Sequence, residues 1–247
     1  MKRVVVLGGT GSLGSAVAAE LTGSGYDVVV ASRRGPTKVD VTTGEGLTAA
    51  MTGAEVVVDA TNTLAGARDV LVDGTARVLA AARDAGIKHF VGISIVGIDD
   101  APIAYYRTKV EQEKVITNGP VPWTLLRATQ FHDLIPKLAV KRLGMIIAPR
   151  GMKLQPIDVR EVAEVLAVAA ASPPAGRVPD VGGPEVIELA DLVRRWQRAS
   201  GATGLVLRLP LPTPTGAFLR SGKLCAMQRG VGTRTFDQWL AERYPRA

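Results

Sequence analysis

Two hydrophobic rhythms alternate along the first two-thirds of the chain. Short unbroken apolar runs end in glycine or polar residues, and between them lie longer stretches with apolar side chains at every third or fourth position. "RVVVLGG" (3–9) has no polar alternation, the pattern of a strand buried on both faces. "SLGSAVAAELTGSG" places Leu13, Val17 and Leu21 on one helical stripe and stops in glycines. "DVVVASRR" reads as a second strand, "KVDV" as a short third, and the stretch around Gly46–Met51 as a helix. "AEVVVDATN" is a strand and "ARDVLVDGTARVLAAARDAG" a long helix ending at Gly86. "HFVGISIVG" is a strand, "APIAYYRTKVEQEKVITNG" contains a helix, and "PWTLLRAT" is again a strand. Alternation of this kind predicts a doubly wound parallel sheet with helices on both faces and right-handed crossovers.

Past about residue 133 the rhythm breaks. "GMIIAPRG" predicts a short strand and turn, and "PIDVREVAEVLAVAAAS" a helix capped by Asp158 and stopped by two prolines. "ELADLVRRWQRASG" and "TFDQWLAERY" are further helices, with the extended "LVLRLPLP" between them. These elements are too few for a second large fold. They predict a small α+β substrate or lid lobe over 151–247, beside a cofactor-binding domain over 1–150. The helix at 157–172 is expected to pack back onto that first domain, and the crevice between the lobes to take the substrate.

Composition narrows the class. At 47% hydrophobic and 21% charged, the 247 residues suit a globular protein. The single cysteine, Cys225, leaves no disulfide framework, and two scattered histidines without a carboxylate cluster argue against a metal site. The apolar run after the N-terminus covers only Val4 to Leu7, and none approaches the roughly 18 residues of a membrane span, so a cytoplasmic, membrane-free protein is expected. Residues 1–187 carry 20 Lys and Arg against 19 Asp and Glu, whereas 188–247 carry 10 against 4. The basic tail is not interleaved with aromatics, which argues against nucleic acid.

"GGTGSLG" follows the first strand and opens the first helix, with Gly8, Gly11 and Gly14 in G-x-x-G-x-x-G spacing. A dinucleotide phosphate needs such a loop, because backbone must approach it closely and the helix N-terminus supplies free N–H groups. Gly8, Thr10, Gly11, Ser12, Leu13 and Gly14 are therefore the candidate cradle. Versions selective for NAD place an acid after the second strand; here Ser32, Arg33 and Arg34 stand there, which suits the 2′-phosphate of NADP(H). Asp40 is a candidate for the adenine amino group, and "DATN" brings Ala60, Thr61 and Asn62 to the sheet's carboxyl edge. Gln130, Phe131 and His132 follow the sixth strand at that edge and are candidates for lining the substrate.

The remaining constellation is "YYRTK". Tyr105 and Lys109 stand at i, i+4 and share a helical face. A free tyrosine titrates at about 10, and a neighbouring ammonium lowers that by stabilising phenolate.

In this order and approximate spacing, "GGTGSLG", "ASRR", "DATN", the strand ending at Ser94 and "YYRTK" resemble the short-chain dehydrogenase/reductase superfamily. "SIVGID", "VPWTLLRATQFHD" and "QPIDVREVAE" are similar to its atypical, NmrA-like NAD(P)H-binding branch. The resemblance covers residues 1 to about 172. It implies a Rossmann-type domain binding NADP(H). It also implies Tyr105 as proton donor, Lys109 on the nicotinamide ribose, and Ser94 polarising a carbonyl. The expected activity is NADPH-dependent reduction of a small carbonyl, enone or quinone-like substrate by a monomer or homodimer. Two alternatives belong to the same branch: a non-catalytic NADP(H) redox sensor and a redox-neutral epimerase or dehydratase.

Overall fold

The computed structural model describes residues 2–139, 141–226 and 232–245. In chain order it begins with β1 (Arg3–Leu7), α1 (Ser12–Gly23), β2 (Asp27–Ser32), β3 (Thr37–Lys38), α2 (Leu47–Met51) and β4 (Val56–Asp59). A π-helical turn over Asp69–Gly74 leads into α3 (Thr75–Asp84), followed by β5 (His89–Ile95), α4 (Ala104–Thr117) and β6 (Trp123–Ala128). Then come α5 (Leu134–Leu138), β7 (Lys141–Arg142), β8 (Met145–Pro149), β9 (Lys153–Leu154), α6 (Val159–Ala171) and β10 (Gly176–Arg177). The chain continues through β11 (Ile187–Glu188), α7 (Leu189–Ser200), β12 (Leu205–Leu209), α8 (Pro214–Arg220) and α9 (Phe236–Arg243).

Seven strands form one parallel, Rossmann-type sheet in the order β10-β6-β5-β4-β1-β2-β3. Its centre is fully buried because both faces are covered. Val5, Leu7, Val57, Phe90 and Leu125 pack with residues of α2, α3 and α4 such as Leu47, Met51, Val78, Leu79 and Ile116. On the opposite face α1 and α6 pack against one another, burying Leu13, Val17 and Leu21 with Val162 and Leu166. Each such side chain contributes about 1.5–3 kcal/mol of burial, so the run of apolar residues itself secures the strand order's core.

The chain divides into two compact units. The first comprises Met1–Ser94, Ala104–Arg127 and Val159–Pro179; the second comprises Ile95–Ile103, Ala128–Asp158 and Asp180–Ala247. Within the first, α4 is tied to β6 by a buried bidentate pair: Arg127 Nε donates to Glu113 Oε1 at 2.7 Å and Nη2 to Oε2 at 2.6 Å. Within the second, β8 pairs in parallel with β12 and antiparallel with β7, and β9 pairs antiparallel with β11. The helix expected from "TFDQWLAERY" opens with a capping box between Thr235 and Gln238.

One element departs from its expected form. The stretch read as a continuous helix to Gly86 begins as the π-helical turn and becomes α-helical only at Thr75. Gly74 ends the wide turn, and a Cβ there would lie 3.0 Å from Val41 Cγ2 and 3.2 Å from Asp69 O. A side chain at Gly74 would need its neighbours to give by a few tenths of an ångström, and Thr75, the next residue, is buried.

Candidate active site

All strands of the main sheet run the same way, so β1, β2, β4 and β5 end at one edge, and the loops that follow them carry most of the candidate residues. The glycine loop joins β1 to α1 there. Gly8 has φ of +68°, a left-handed conformation, and a Cβ on it would sit 2.7 Å from Ala60 O in the loop after β4. A Cβ on Gly14 would sit 2.2 Å from Gly8 O. Gly11 caps α1 with extended backbone and no side-chain bond to the helix, so the first N–H groups of Ser12, Leu13 and Gly14 carry no side-chain cap. These are the features a phosphate-binding turn requires: close backbone, and helix donors without a competing side chain.

The loop after β2 adds a polar wall. Thr10 Oγ1 donates to Ser32 Oγ at 2.9 Å, fixing the glycine loop against the end of β2. Arg33 and Arg34 follow and are exposed. Asp40 Oδ1 accepts from Thr42 N at 2.8 Å and Thr42 Oγ1 at 2.6 Å, a turn closed on its own side chain. Those bonds, chiefly the Thr42 hydroxyl, hold its carboxyl below the usual range.

The loop after β4 makes the same turn in a buried setting. Asp59 Oδ1 accepts from Thr61 N at 2.9 Å and Thr61 Oγ1 at 2.6 Å. Asp59 is only 3% exposed, and its Oδ2 has no hydrogen-bond partner. Burial pushes its pKa up, against the pull of the Thr61 bonds and the Lys109 charge. Ala60 lies against Gly8, and Asn62 is exposed at the loop's far side.

α4 brings Tyr105 and Lys109 to the same place. Tyr105 Oη donates to Asn62 Oδ1 at 2.8 Å. Burial pushes the Tyr105 pKa up, so in the chain by itself the direction is upward. Tyr106 lies beside it, ring centroids 5.7 Å apart, and burial pushes its hydroxyl to about 12. Lys109 is 4% exposed; its Nζ donates to Ile93 O at 2.9 Å and to Gln112 Oε1 at 2.5 Å. Gln112 Nε2 in turn donates to Thr75 Oγ1 at 3.0 Å. Burial pulls Lys109 down to about 8, with Asp59 and then Glu113 acting to hold it up. Gln112 and Thr75 escape the sequence reading, although Gln112 follows Lys109 at i, i+3 and so shares its face.

Ser94 lies near the end of β5, 4% exposed, and its Oγ has no hydrogen-bond partner. Strand alternation puts it on the face of Gly92, which pairs with Asp59, and therefore on the face covered by α3 and α4. A buried hydroxyl without a partner is costly unless another molecule satisfies it.

Gln130, Phe131 and His132 belong to the second unit. Gln130 Nε2 donates to Leu224 O at 3.0 Å and its Oε1 accepts from Gln155 N at 3.2 Å. Phe131 is half-buried and bridges to Ile157. His132 is buried beside Phe236 and Trp239, ring centroids 5.6 and 5.8 Å away, with Nε2 3.2 Å from Pro156 O. Among the described residues, no group of three His, Cys, Asp or Glu side chains is placed to hold a metal, and no helix is long and apolar enough to cross a membrane.

The chain is similar to known proteins in sequence and in fold. A (4-alkanoyl-5-oxo-2,5-dihydrofuran-3-yl)methyl phosphate reductase of Streptomyces griseus is 30% identical over 97% of each chain. An NADPH-dependent quinone oxidoreductase of Escherichia coli, solved with NADPH, superposes with a TM-score of 0.74 at 19% identity, covering 98% of this chain and 99% of that one. A UDP-glucose 4-epimerase of Thermus thermophilus, solved with NAD, gives 0.72 at 18% identity over 98% of both chains. The solved structures share the fold with this chain, whatever their chemistry. The model of the NAD(P)H-binding family matches residues 8–173, from the first glycine of the loop past the end of α6, and the chain belongs to that family.

Proposed function

We propose that this protein is an NADPH-dependent reductase of a small carbonyl, enone or quinone-like substrate, with Tyr105 as the proton donor. The observation that supports the reading is that Tyr105 reaches Asn62 in the loop after β4 and Lys109 reaches Ile93 O near the end of β5, next to the unpartnered Ser94 hydroxyl, in a unit that also holds a close-packed glycine loop. The Streptomyces griseus relative reduces, by its name, a dihydrofuranone bearing an alkanoyl group, a ring alkene conjugated to carbonyls, which favours the enone class.

Gly8, Gly11 and Gly14, with the first N–H groups of α1, would hold the pyrophosphate. Ser32, Arg33 and Arg34 would hold a 2′-phosphate, which favours NADP(H) over NAD(H). A nicotinamide dinucleotide bound there supplies hydride. Tyr105 keeps its proton at neutral pH because burial raises its pKa, and a group that holds its proton suits donation to a carbonyl or enolate oxygen. The Lys109 charge would then stabilise the phenolate left behind and bind ribose hydroxyls. Ser94 would donate to the substrate oxygen.

The test is a panel of ketones, conjugated enones including butenolides, and quinones with NADPH and the purified protein. The expected result is loss of reduced nicotinamide matched one to one by reduced product for one class. Product formed without net NADPH consumption would replace this reading with the redox-neutral one. No product from any class would leave the sensor reading.

A further inference from the structure

We infer that Asp59 is a positioning residue for Lys109: its carboxylate is the buried counter-charge that keeps the Lys109 amine protonated at the carboxyl edge of the sheet. The inference rests on the role given to Lys109 above, and nothing in the motifs singles out Asp59 for it.

The argument is one of unmet demands. Lys109 Nζ is buried, and both its hydrogen-bond acceptors, Ile93 O and Gln112 Oε1, are uncharged. A buried ammonium is costly unless an opposite charge stands near it. Asp59 poses the converse problem. Two bonds from Thr61 to Oδ1 fix its orientation, these bonds and the Thr75 hydroxyl favour the ionised form, and Oδ2 lies buried without a close hydrogen bond. The strand register puts Asp59 on the sheet face that α4 covers, near Lys109 but not in a direct ion pair with it. Asp59 pairs with Gly92, which has no side chain to intervene, and the next residue, Ile93, gives Lys109 its carbonyl.

Of the other groups facing Lys109, Glu113 adds a smaller share of this role and the rest add none. Glu113, from α4 itself, is clamped by both arms of Arg127 from β6. α3 presents the Thr75 hydroxyl, already bound by Gln112, and β5 presents the Ile93 carbonyl and the neutral Ser94 hydroxyl. Tyr105, one turn earlier on α4, is neutral while it holds its proton. In the π-helical turn Asp69 is exposed, and Arg68 just before it pairs with Glu111 at the surface. The pKa directions agree: Asp59 is the largest influence holding Lys109 up, and Lys109 is among those drawing Asp59 down.

The experiment is an NMR pH titration of the full chain labelled with carbon-13 at the lysine ε position, without cofactor. The Lys109 resonance is assigned by its loss in Lys109→Met. Asp59→Asn keeps the oxygen that Thr61 binds and removes the charge. Its Lys109 midpoint should fall by at least one pH unit, a tenfold loss of proton affinity; an unmoved midpoint overturns the inference. Should Asp59→Asn not fold, the reciprocal measurement decides, because coupling between two sites is mutual. In Lys109→Met the Asp59 carboxyl carbon should titrate at higher pH than in the wild type, and an unchanged midpoint there is equally fatal. Neither arm needs turnover, so failure of the reductase reading would leave the titration standing, and failure of the titration would leave the reductase reading intact.

Discussion

The Tyr105 hydroxyl donates to Asn62 Oδ1 across 2.8 Å, joining the first turn of α4 to the loop after β4. A bond that the hydroxyl donates favours the protonated tyrosine, in the same direction as burial. Replacing Asn62 by Ala removes that acceptor and should therefore lower the Tyr105 pKa. Difference spectra of phenolate formation should show one tyrosine titrating at lower pH, and turnover should fall by about tenfold, the equivalent of one hydrogen bond of about 1.4 kcal/mol.

Gly14→Ala tests the cradle. The added Cβ would fall 2.2 Å from Gly8 O, a backbone atom that has no rotamer by which to withdraw. The loop must open, and fluorescence titration should show NADPH binding weakened by about 100-fold or more, against the roughly 2.7 kcal/mol that such a factor represents.

Cofactor choice is assigned to the exposed pair after β2. Arg33→Ala with Arg34→Ala should weaken NADPH binding by at least about tenfold, since charge-assisted bonds to phosphate contribute about 1.5–3 kcal/mol, and should change NADH binding little. Equal losses for the two cofactors would remove the 2′-phosphate from the assignment.

Burial of Lys109 also has a signature in stability. Its pKa is about 8 in the fold against 10.5 free, so between those values the unfolded chain holds a proton that the folded chain has lost. Stability must then rise with pH through that window, by up to about 1.4 kcal/mol per unit for one proton, and the cost is fully present below pH 8. Denaturant titrations at several pH values should show this rise in the wild type relative to Lys109→Met.

Much of this arrangement is written locally. The apolar runs give the parallel sheet, because a strand covered on both faces cannot alternate. The glycine spacing gives the loop, because Gly8 and Gly14 meet backbone where a Cβ has no room. Tyr105 and Lys109 share a face by helical geometry alone. What stayed hidden depends on contacts distant in sequence. The Tyr105 to Asn62 bond spans 43 positions, and Gln112 reaches Thr75 across 37. Arg127 sits inside the apolar run of β6, where Glu113 on the neighbouring helix is a buried partner for it. The π-helical turn has no periodicity of its own in the sequence.

The central claim is that Tyr105 gives the proton, and Tyr105→Phe tests it most directly. The substitution removes one hydroxyl whose recorded bond is to the exposed Asn62, so the fold and the glycine loop should stand. Turnover of a substrate found in the panel, measured beside NADPH affinity, separates chemistry from binding. The account expects turnover to fall by at least about 100-fold, the lower range for loss of a general acid, with NADPH affinity within a few-fold of the wild type. Turnover unchanged in Tyr105→Phe would contradict it.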